Sequence, residues 1–157
     1  MKNPENSRQH PLQILLVEDN EAHAEMVRRG FACHRIANDV YHVSDGKAAL
    51  RYLFRHGAYA DAARSPRPHV ILLDLRLPKI SGLDVLRQIR QSDELKNIPV
   101  VILSTSGRDL DIARAYEQQA NGYMVKPTDF AQFSQALEEL ASYWLAWNRT
   151  PRPEEVT

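Results

Sequence analysis

Acidic and polar side chains stand where the short apolar runs of this sequence end. Glu18 and Asp19 follow the first run, Asp74 follows a second, Ser104 ends a third, and Lys126 follows a fourth. If the carboxylates meet, a cation must relieve their repulsion, and oxygen-only ligands with room for water suit Mg²⁺. A carboxylate beside a cation can attack phosphorus, while an ammonium and a hydroxyl bind the phosphoryl oxygens. These residue types therefore indicate phosphoryl transfer onto an aspartate.

The apolar runs themselves have the lengths of strands, and they alternate with segments long enough for helices. Three runs are rich in Ile and Val, as expected of strands that are buried on both faces of a parallel sheet. The predicted strands are residues 14–17, 40–43, 70–73, 100–103 and 122–125. This alternation predicts an α/β fold, a doubly wound parallel sheet with helices on both faces. In such a sheet the carboxyl ends of the strands gather their polar side chains at one edge.

The segments between the strands carry apolar residues three or four apart, as amphipathic helices do. A last helix is predicted at about 129–147, with an unbroken apolar stripe along it. Capping oxygens are expected from Asn20, Asp109 and Thr128. The predicted buried faces are Ala24, Val27 and Phe31; Ala49, Leu50, Leu53 and Phe54; Val85, Leu86 and Ile89; and Leu110, Ala113 and Ala120. The apolar stripe of the last helix is Phe130, Phe133, Leu137, Leu140, Trp144 and Trp147, and its first half is predicted to close the core.

Composition limits the classes of protein to consider. The 157 residues suit one domain, and 20 Lys and Arg balance 20 Asp and Glu, so no basic field favours nucleic acid. Cys33 is the only cysteine, which excludes an internal disulfide and a multi-cysteine zinc site. The longest apolar stretches, 70–73 and 99–103, are far shorter than the roughly 20 residues of a membrane span. A cytoplasmic protein without membrane or nucleic-acid partners is expected.

One domain is predicted at 12–147, between flexible ends at 1–11 and 148–157. Residues 57–69 combine alanines, a glycine and two prolines, which predicts an extended surface loop. The six histidines show no metal-binding spacing and are interpreted as surface or loop residues.

Four motifs make the sequence similar to a known family. They are ILLVEDN around the acidic pair, VILLDLRLPKISG around Asp74, IPVVILSTS around Ser104, and NGYMVKP around Lys126. Thirty residues separate Asp74 from Ser104, and 52 separate it from Lys126. From Gln13 to about Leu145 the chain resembles the receiver domain of two-component response regulators. The resemblance implies a flavodoxin-like (βα)5 fold with five parallel strands.

The resemblance also implies roles for these residues. Asp74 would accept a phosphoryl group from the phosphohistidine of a sensor histidine kinase, and Lys126 would pair with the phosphoryl oxygens. Glu18, Asp19, Asp74 and the backbone carbonyl of Arg76 would hold Mg²⁺. The protein would then catalyse only its own phosphorylation and dephosphorylation, and would signal through protein contacts or through relay to a histidine phosphotransfer protein. The alternative is a receiver fold that serves as a dimerisation scaffold without phosphorylation.

A switch is implied at the same edge of the sheet. Ser104 would turn to the phosphoryl group, Tyr123 would fill the space it leaves, and the surface of helix 4, strand 5 and helix 5 would repack. The Lys126–Pro127 bond is expected to be cis in this family.

The end of the last helix, SYWLAWN, and the long loop at 57–69 resemble the small receivers that accompany phytochromes. That resemblance makes a phytochrome kinase a candidate partner. It also implies a homodimer on the face of helix 4, strand 5 and helix 5, with Tyr143, Trp144 and Trp147 as candidate partner residues.

Overall fold

Five parallel strands form one sheet in the computed structural model, which describes residues 11–150. The strands follow the order β2-β1-β3-β4-β5, which is the flavodoxin-like order, and they confirm the predicted fold class. The predicted flexible ends lie outside the described residues, apart from residues 11 and 148–150. The strand bounds are β1 (Leu12–Val17), β2 (Asn38–Val43), β3 (Val70–Leu73), β4 (Val100–Ser104) and β5 (Gly122–Val125).

Helices cover both faces of this sheet. Helices α1 and α5 pack on one face, while α2, α3 and α4 pack on the other. Within residues 11–150, no helix is both long and apolar enough to cross a membrane. The helix bounds are α1 (Glu21–Ala32), α2 (Gly46–Leu53), α3 (Gly82–Gln91), α4 (Asp109–Glu117) and α5 (Phe130–Ser142), with a 3-10 turn at Gly57–Tyr59 and a π-helical turn at Tyr143–Trp147.

The central strands are buried on both faces, as their apolar runs predict. Along β1, Ile14 and Leu16 pack beneath α1 and α5, whereas Leu15 and Val17 pack beneath α2 and α3. All four residues of β3 are buried. Two apolar layers therefore hold the sheet rigid and fix the position of the residues that follow each strand.

The predicted buried face of α4 is wrong. Leu110 and Ala113 are exposed, and Ala120 is buried beyond the end of the helix. Ala115 is the residue through which α4 contacts the core, so the packed face is rotated from the one predicted. The sequence pattern fails here because α4 is short and its apolar residues extend around it. The outward side chains Leu110 and Tyr116 leave part of α4 available to a partner.

The caps follow prediction only in part. Asn20 accepts a hydrogen bond from the backbone N–H of His23, as expected of an N-cap. Asp129, not Thr128, caps α5 by accepting from the backbone N–H of Gln132, and α4 begins after Arg108 without a side-chain cap. Asp109 is instead the first residue of that helix.

The last helix also departs from its predicted stripe. Phe133 and Leu137 are buried, but Phe130 at the helix start is 71% exposed. After Ser142 the chain widens into the π-helical turn, which changes the phase of the side chains. Leu145 is consequently the buried residue of this turn, while Trp144 is half-buried and Trp147 is 78% exposed.

Gly82 fixes the backbone that follows β3. A Cβ at this position would lie 2.2 Å from the carbonyl oxygen of Asp74 and 2.6 Å from the Cα of Leu75. Both atoms belong to the backbone, so Gly82→Ala is expected to destabilise the fold by at least ~2 kcal/mol, which lowers Tm by several degrees. At Gly107 a Cβ would meet only Val125 methyl groups at 3.6 Å, so Gly107→Ala is the matched control. Equal melting temperatures of the two variants would contradict this account.

Candidate functional site

Three carboxylates meet where β1 and β3 end. Val17 and Leu73 are partners in the parallel register of these neighbouring strands, so the residues that follow them emerge side by side. One oxygen from each of Glu18, Asp19 and Asp74 lies within 4.8 Å of the others. Glu18 and Asp74 are buried, whereas Asp19 is exposed and leaves one side of the cluster open. An open, oxygen-only donor set fits Mg²⁺, which keeps several waters when it binds protein carboxylates.

Lys126 places a positive charge inside this cluster. It directly follows β5, and its backbone N–H donates to the carbonyl of Ser104 at 2.7 Å, which ties it to the end of β4. Its buried ammonium lies 2.6 Å from Oε2 of Glu18 and 3.4 Å from Oδ2 of Asp74. The ammonium therefore stands within reach of any group that becomes attached to Asp74.

His23 lies in the same cluster, although the sequence interpretation makes it a surface or loop residue. Its Nδ1 is 3.1 Å from the Nζ of Lys126 and 3.9 Å from Oε1 of Glu18. Burial and the charge of Lys126 lower the pKa of His23, which favours the neutral ring. The Asn20 cap could have predicted this position. It starts α1 directly after the residues that follow β1, so His23, the third residue of the helix, lies beside the site.

Burial controls the protonation of Glu18. It raises the pKa of this carboxyl from 4.5 to about 7, and the nearby ammonium of Lys126 offsets burial only in part. The folded protein therefore binds this proton more tightly than the unfolded chain does. Without metal, the stability contributed by this group is present below pH 4.5 and is lost as the pH rises through about 7.

The same proton must leave before Glu18 can bind a metal ion. The apparent Kd for Mg²⁺ is therefore expected to rise about tenfold when the pH falls from 8 to 6, since the carboxyl titrates at about 7. Isothermal titration across this range measures the change. Glu18→Gln serves as the control, because its binding is expected to be weaker but to lack this step. A wild-type affinity that stays constant or improves toward pH 6 would contradict the prediction.

Ser104 and Tyr123 are both hydrogen-bonded to the backbone of Ser106. The hydroxyl of buried Ser104 accepts a hydrogen bond from the backbone N–H of Ser106 at 3.1 Å, so in this structure Ser104 faces that loop. Half-buried Tyr123 donates its hydroxyl to the carbonyl of Ser106 at 2.8 Å. The Ser106 hydroxyl donates in turn to Asp111 of α4. This chain of contacts, which the sequence did not reveal, joins both residues of the predicted switch to the start of α4.

The backbone of Arg76 runs beside Asp74, with its N–H donating to Oδ1 of Asp74 at 3.2 Å, while its side chain is exposed.

The expectation of a cis bond between Lys126 and Pro127 is wrong, because residues 11–150 contain no cis peptide. An Xaa–Pro bond favours trans by about 0.5–1 kcal/mol unless its surroundings select the other isomer.

The aromatic residues at the chain end lie apart from the carboxylates. Tyr143 and Trp147 are 52% and 78% exposed. Trp144 is half-buried against the core layer beneath α1 and α5, so Tyr143 and Trp147 are the more exposed of the three candidate partner residues.

The chain is similar in sequence to proteins of a known family. A model of the response regulator receiver domain matches residues 14–138. The probable methanogenesis regulatory protein FilR2 of Methanothrix harundinacea is 46% identical over 91% of this chain and 90% of its own length. Response regulator Rcp1 of Synechocystis is 38% identical over 86% of this chain and 90% of its own.

Solved structures agree with these relatives. The Mn²⁺-bound form of Rcp1 matches with a TM-score of 0.85 at 38% identity, over 90% of this chain and 99% of that one. The phosphorylated cyanobacterial phytochrome response regulator RcpA matches with the same TM-score of 0.85 and 38% identity, over 90% of this chain and 99% of its own. The sequence motifs, the strand order and these relatives lead to one conclusion: this chain belongs to the response regulator receiver domain family.

Proposed function

We propose that this chain is a cytoplasmic phosphorylation switch in which Asp74 accepts a phosphoryl group from the phosphohistidine of a sensor kinase. The observation that carries the proposal is the position of Asp74, which shares one cluster with two other carboxylates and lies 3.4 Å from the Lys126 ammonium. The family consists of signalling proteins that are generally not classed as enzymes. The chain would catalyse only its own phosphorylation and the later hydrolysis.

The proposed step is a direct transfer of the phosphoryl group from the phosphohistidine to Asp74. A carboxylate oxygen of Asp74 forms a bond to phosphorus while the phosphorus–nitrogen bond of the donor breaks, and the leaving imidazole nitrogen keeps the electron pair. Lys126 binds the oxygens of the transferred group and stabilises their charge. Glu18, Asp19, Asp74 and the Arg76 carbonyl would hold Mg²⁺, which supplies further positive charge to those oxygens.

Phosphorylation would change the surface through Ser104 and Tyr123. The Ser104 hydroxyl would leave Ser106 for a phosphoryl oxygen, and the loop that it leaves is bonded to Tyr123 and, through Asp111, to α4. A new charge on Asp74 would therefore bias the arrangement of α4, β5 and α5. Apolar side chains are exposed on these elements at Leu110, Tyr116, Val125 and Phe130.

A second copy of the chain is the proposed occupant of this side of the molecule, with Tyr143 and Trp147 contributing aromatic contacts. Trp147→Ala is expected to weaken the dimer roughly 30-fold, the effect of losing about 2 kcal/mol at an aromatic contact. Light scattering over a dilution series measures the change in mass. Phe54→Ala, at the end of α2, is the control because Phe54 is 37% exposed on another part of the surface. A mass that is the same for wild type and Trp147→Ala would contradict the proposed contact.

The cognate kinase is proposed from the relatives. RcpA is a cyanobacterial phytochrome response regulator, so a phytochrome kinase is the first donor to test. FilR2 carries a description in methanogenesis regulation, so kinases of other sensory classes belong in the same comparison. In a phosphorelay, the phosphoryl group would move on from the acyl phosphate of Asp74 to a histidine of a histidine phosphotransfer protein. This step is the reverse of the transfer from the kinase.

The experiment that tests the proposal is phosphotransfer from autophosphorylated kinase domains. The label is expected to move from the kinase histidine to this chain within seconds to minutes with Mg²⁺, and to stay on the kinase with chelator. Acetyl phosphate serves as a donor that needs no kinase. No transfer from kinases of several classes, and none from acetyl phosphate, would favour the phosphorylation-independent scaffold.

A further inference from the structure

His23 occupies a fixed position at the phosphorylation site. The Asn20 side chain accepts the His23 backbone N–H at 3.1 Å, which sets the residue in the first turn of α1. The edge of the His23 ring packs against Phe133 of α5, with the ring centroids 5.5 Å apart and the planes at 86°. Backbone and ring are both held, so the direction of Nδ1 is defined by the fold.

The Lys126 ammonium has as many neighbours as it has N–H groups. These are Oε2 of Glu18 at 2.6 Å, Nδ1 of His23 at 3.1 Å and Oδ2 of Asp74 at 3.4 Å. A lysine ammonium can only donate, so Nδ1 of His23 accepts and its proton lies on Nε2. His23 is therefore a hydrogen-bond partner of the ammonium on which the proposed chemistry depends.

The proposed function gives two of these three partners another task. Glu18 is one of the carboxylates that would hold the metal ion, and Asp74 supplies the carboxylate oxygen that would become phosphorylated. His23 has neither task, and its Nδ1 lies 3.1 Å from the ammonium, at hydrogen-bond distance. It can therefore hold one N–H of Lys126 while another is free to meet a phosphoryl oxygen.

We propose that His23 is a positioning residue that holds the Lys126 ammonium in place for the phosphoryl group. This inference rests on the proposed function. A displaced donor loses much of its effect on a transition state, since an error of about 1 Å can cost up to 10²-fold in rate.

The competing explanation is that His23 only packs against Phe133, and two substitutions separate the roles. His23→Leu keeps an apolar side chain against Phe133 but has no acceptor. His23→Asn gives up ring packing but places its carbonyl oxygen close to the position of Nδ1. Positioning predicts a defect in the leucine variant alone, whereas packing predicts a defect in the asparagine variant alone.

The first measurement is the rate of phosphoryl uptake from acetyl phosphate at saturating Mg²⁺, followed by intact-protein mass. His23→Leu is expected to be about tenfold slower than wild type, and His23→Asn to regain most of the rate. His56→Leu is the matched control, because His56 is exposed and follows α2, away from the carboxylates. If His23→Leu does not fold, His23→Ala replaces it as the variant without an acceptor.

The second measurement needs neither metal nor phosphorylation. Nitrogen-detected NMR follows the exchange of the Lys126 ammonium protons with water, which is expected to accelerate in His23→Leu and to stay near the wild-type rate in His23→Asn. If wild type takes up no phosphoryl group from acetyl phosphate or from any kinase tested, the proposed function fails, while ammonium exchange still tests the contact. Wild-type behaviour of His23→Leu in either measurement, or an asparagine variant as impaired as the leucine variant, would overturn the inference.

Discussion

Asp74→Asn is expected to abolish phosphoryl uptake, with a rate at least ~10³-fold below wild type. The neutral amide lacks the negative oxygen that attacks phosphorus. Its oxygen can still accept the backbone N–H of Arg76, which lies 3.2 Å from Oδ1 in the wild type. The shape of the site is therefore retained while its nucleophile is lost. Intact-protein mass after incubation with acetyl phosphate and Mg²⁺ measures the difference.

Asp93→Asn is the matched control for this result. The Asp93 side chain is 97% exposed and pairs with Lys96 on the surface, so its substitution removes one carboxylate without touching the site. The control is expected to take up one phosphoryl group at the wild-type rate. Uptake by Asp74→Asn at that rate would show that another residue is the acceptor.

Lys126→Met is expected to slow uptake by about 10²–10³-fold, the typical cost of removing a donor that binds charge in a transition state. Methionine replaces the buried carbon chain of the lysine but leaves phosphoryl oxygens without this ammonium. The substitution also leaves Glu18 and Asp74 without their shared cation. Breaking a buried ion pair costs about 3–5 kcal/mol, so a lower Tm is expected as well.

The loss of stability in Lys126→Met is expected to be larger at pH 8 than at pH 6. At pH 6 the Glu18 carboxyl holds its proton, because its pKa is about 7. Removal of the lysine then leaves no unpaired charge on Glu18. At pH 8 it is ionised in the wild type and pairs with the lysine. Lys96→Met removes a half-exposed surface lysine and serves as the control. Uptake by Lys126→Met at the wild-type rate would contradict the role assigned to Lys126.

The carboxylate cluster could be predicted because it depends on strands alone. Buried parallel strands have a strong sequence signal, and the residues that follow neighbouring strands must emerge together. The register of Val17 with Leu73 brings Glu18, Asp19 and Asp74 into one group, as their spacing predicts.

Features that depend on helix phase were harder to predict. The rotated packed face of α4 and the π-helical turn after Ser142 both arise from packing between elements. The spacing of apolar residues within one helix does not predict such packing. Leu110 on α4 is exposed, and Trp144 in the π-helical turn is half-buried. His23 was missed because a single histidine has no periodic pattern, and only its place after the Asn20 cap brings it to Lys126.

The proposed function depends on Asp74 as the residue that carries the phosphoryl group, and the position of that group on the chain can be determined chemically. Wild-type protein is incubated with acetyl phosphate and Mg²⁺, its acyl phosphate is reduced with borohydride, and the altered residue is identified by peptide mass spectrometry. We expect modification at Asp74 alone, and we expect it to disappear when chelator replaces Mg²⁺. Modification at Asp19 or at another carboxylate, or at Asp74 to the same extent with chelator, would contradict this expectation.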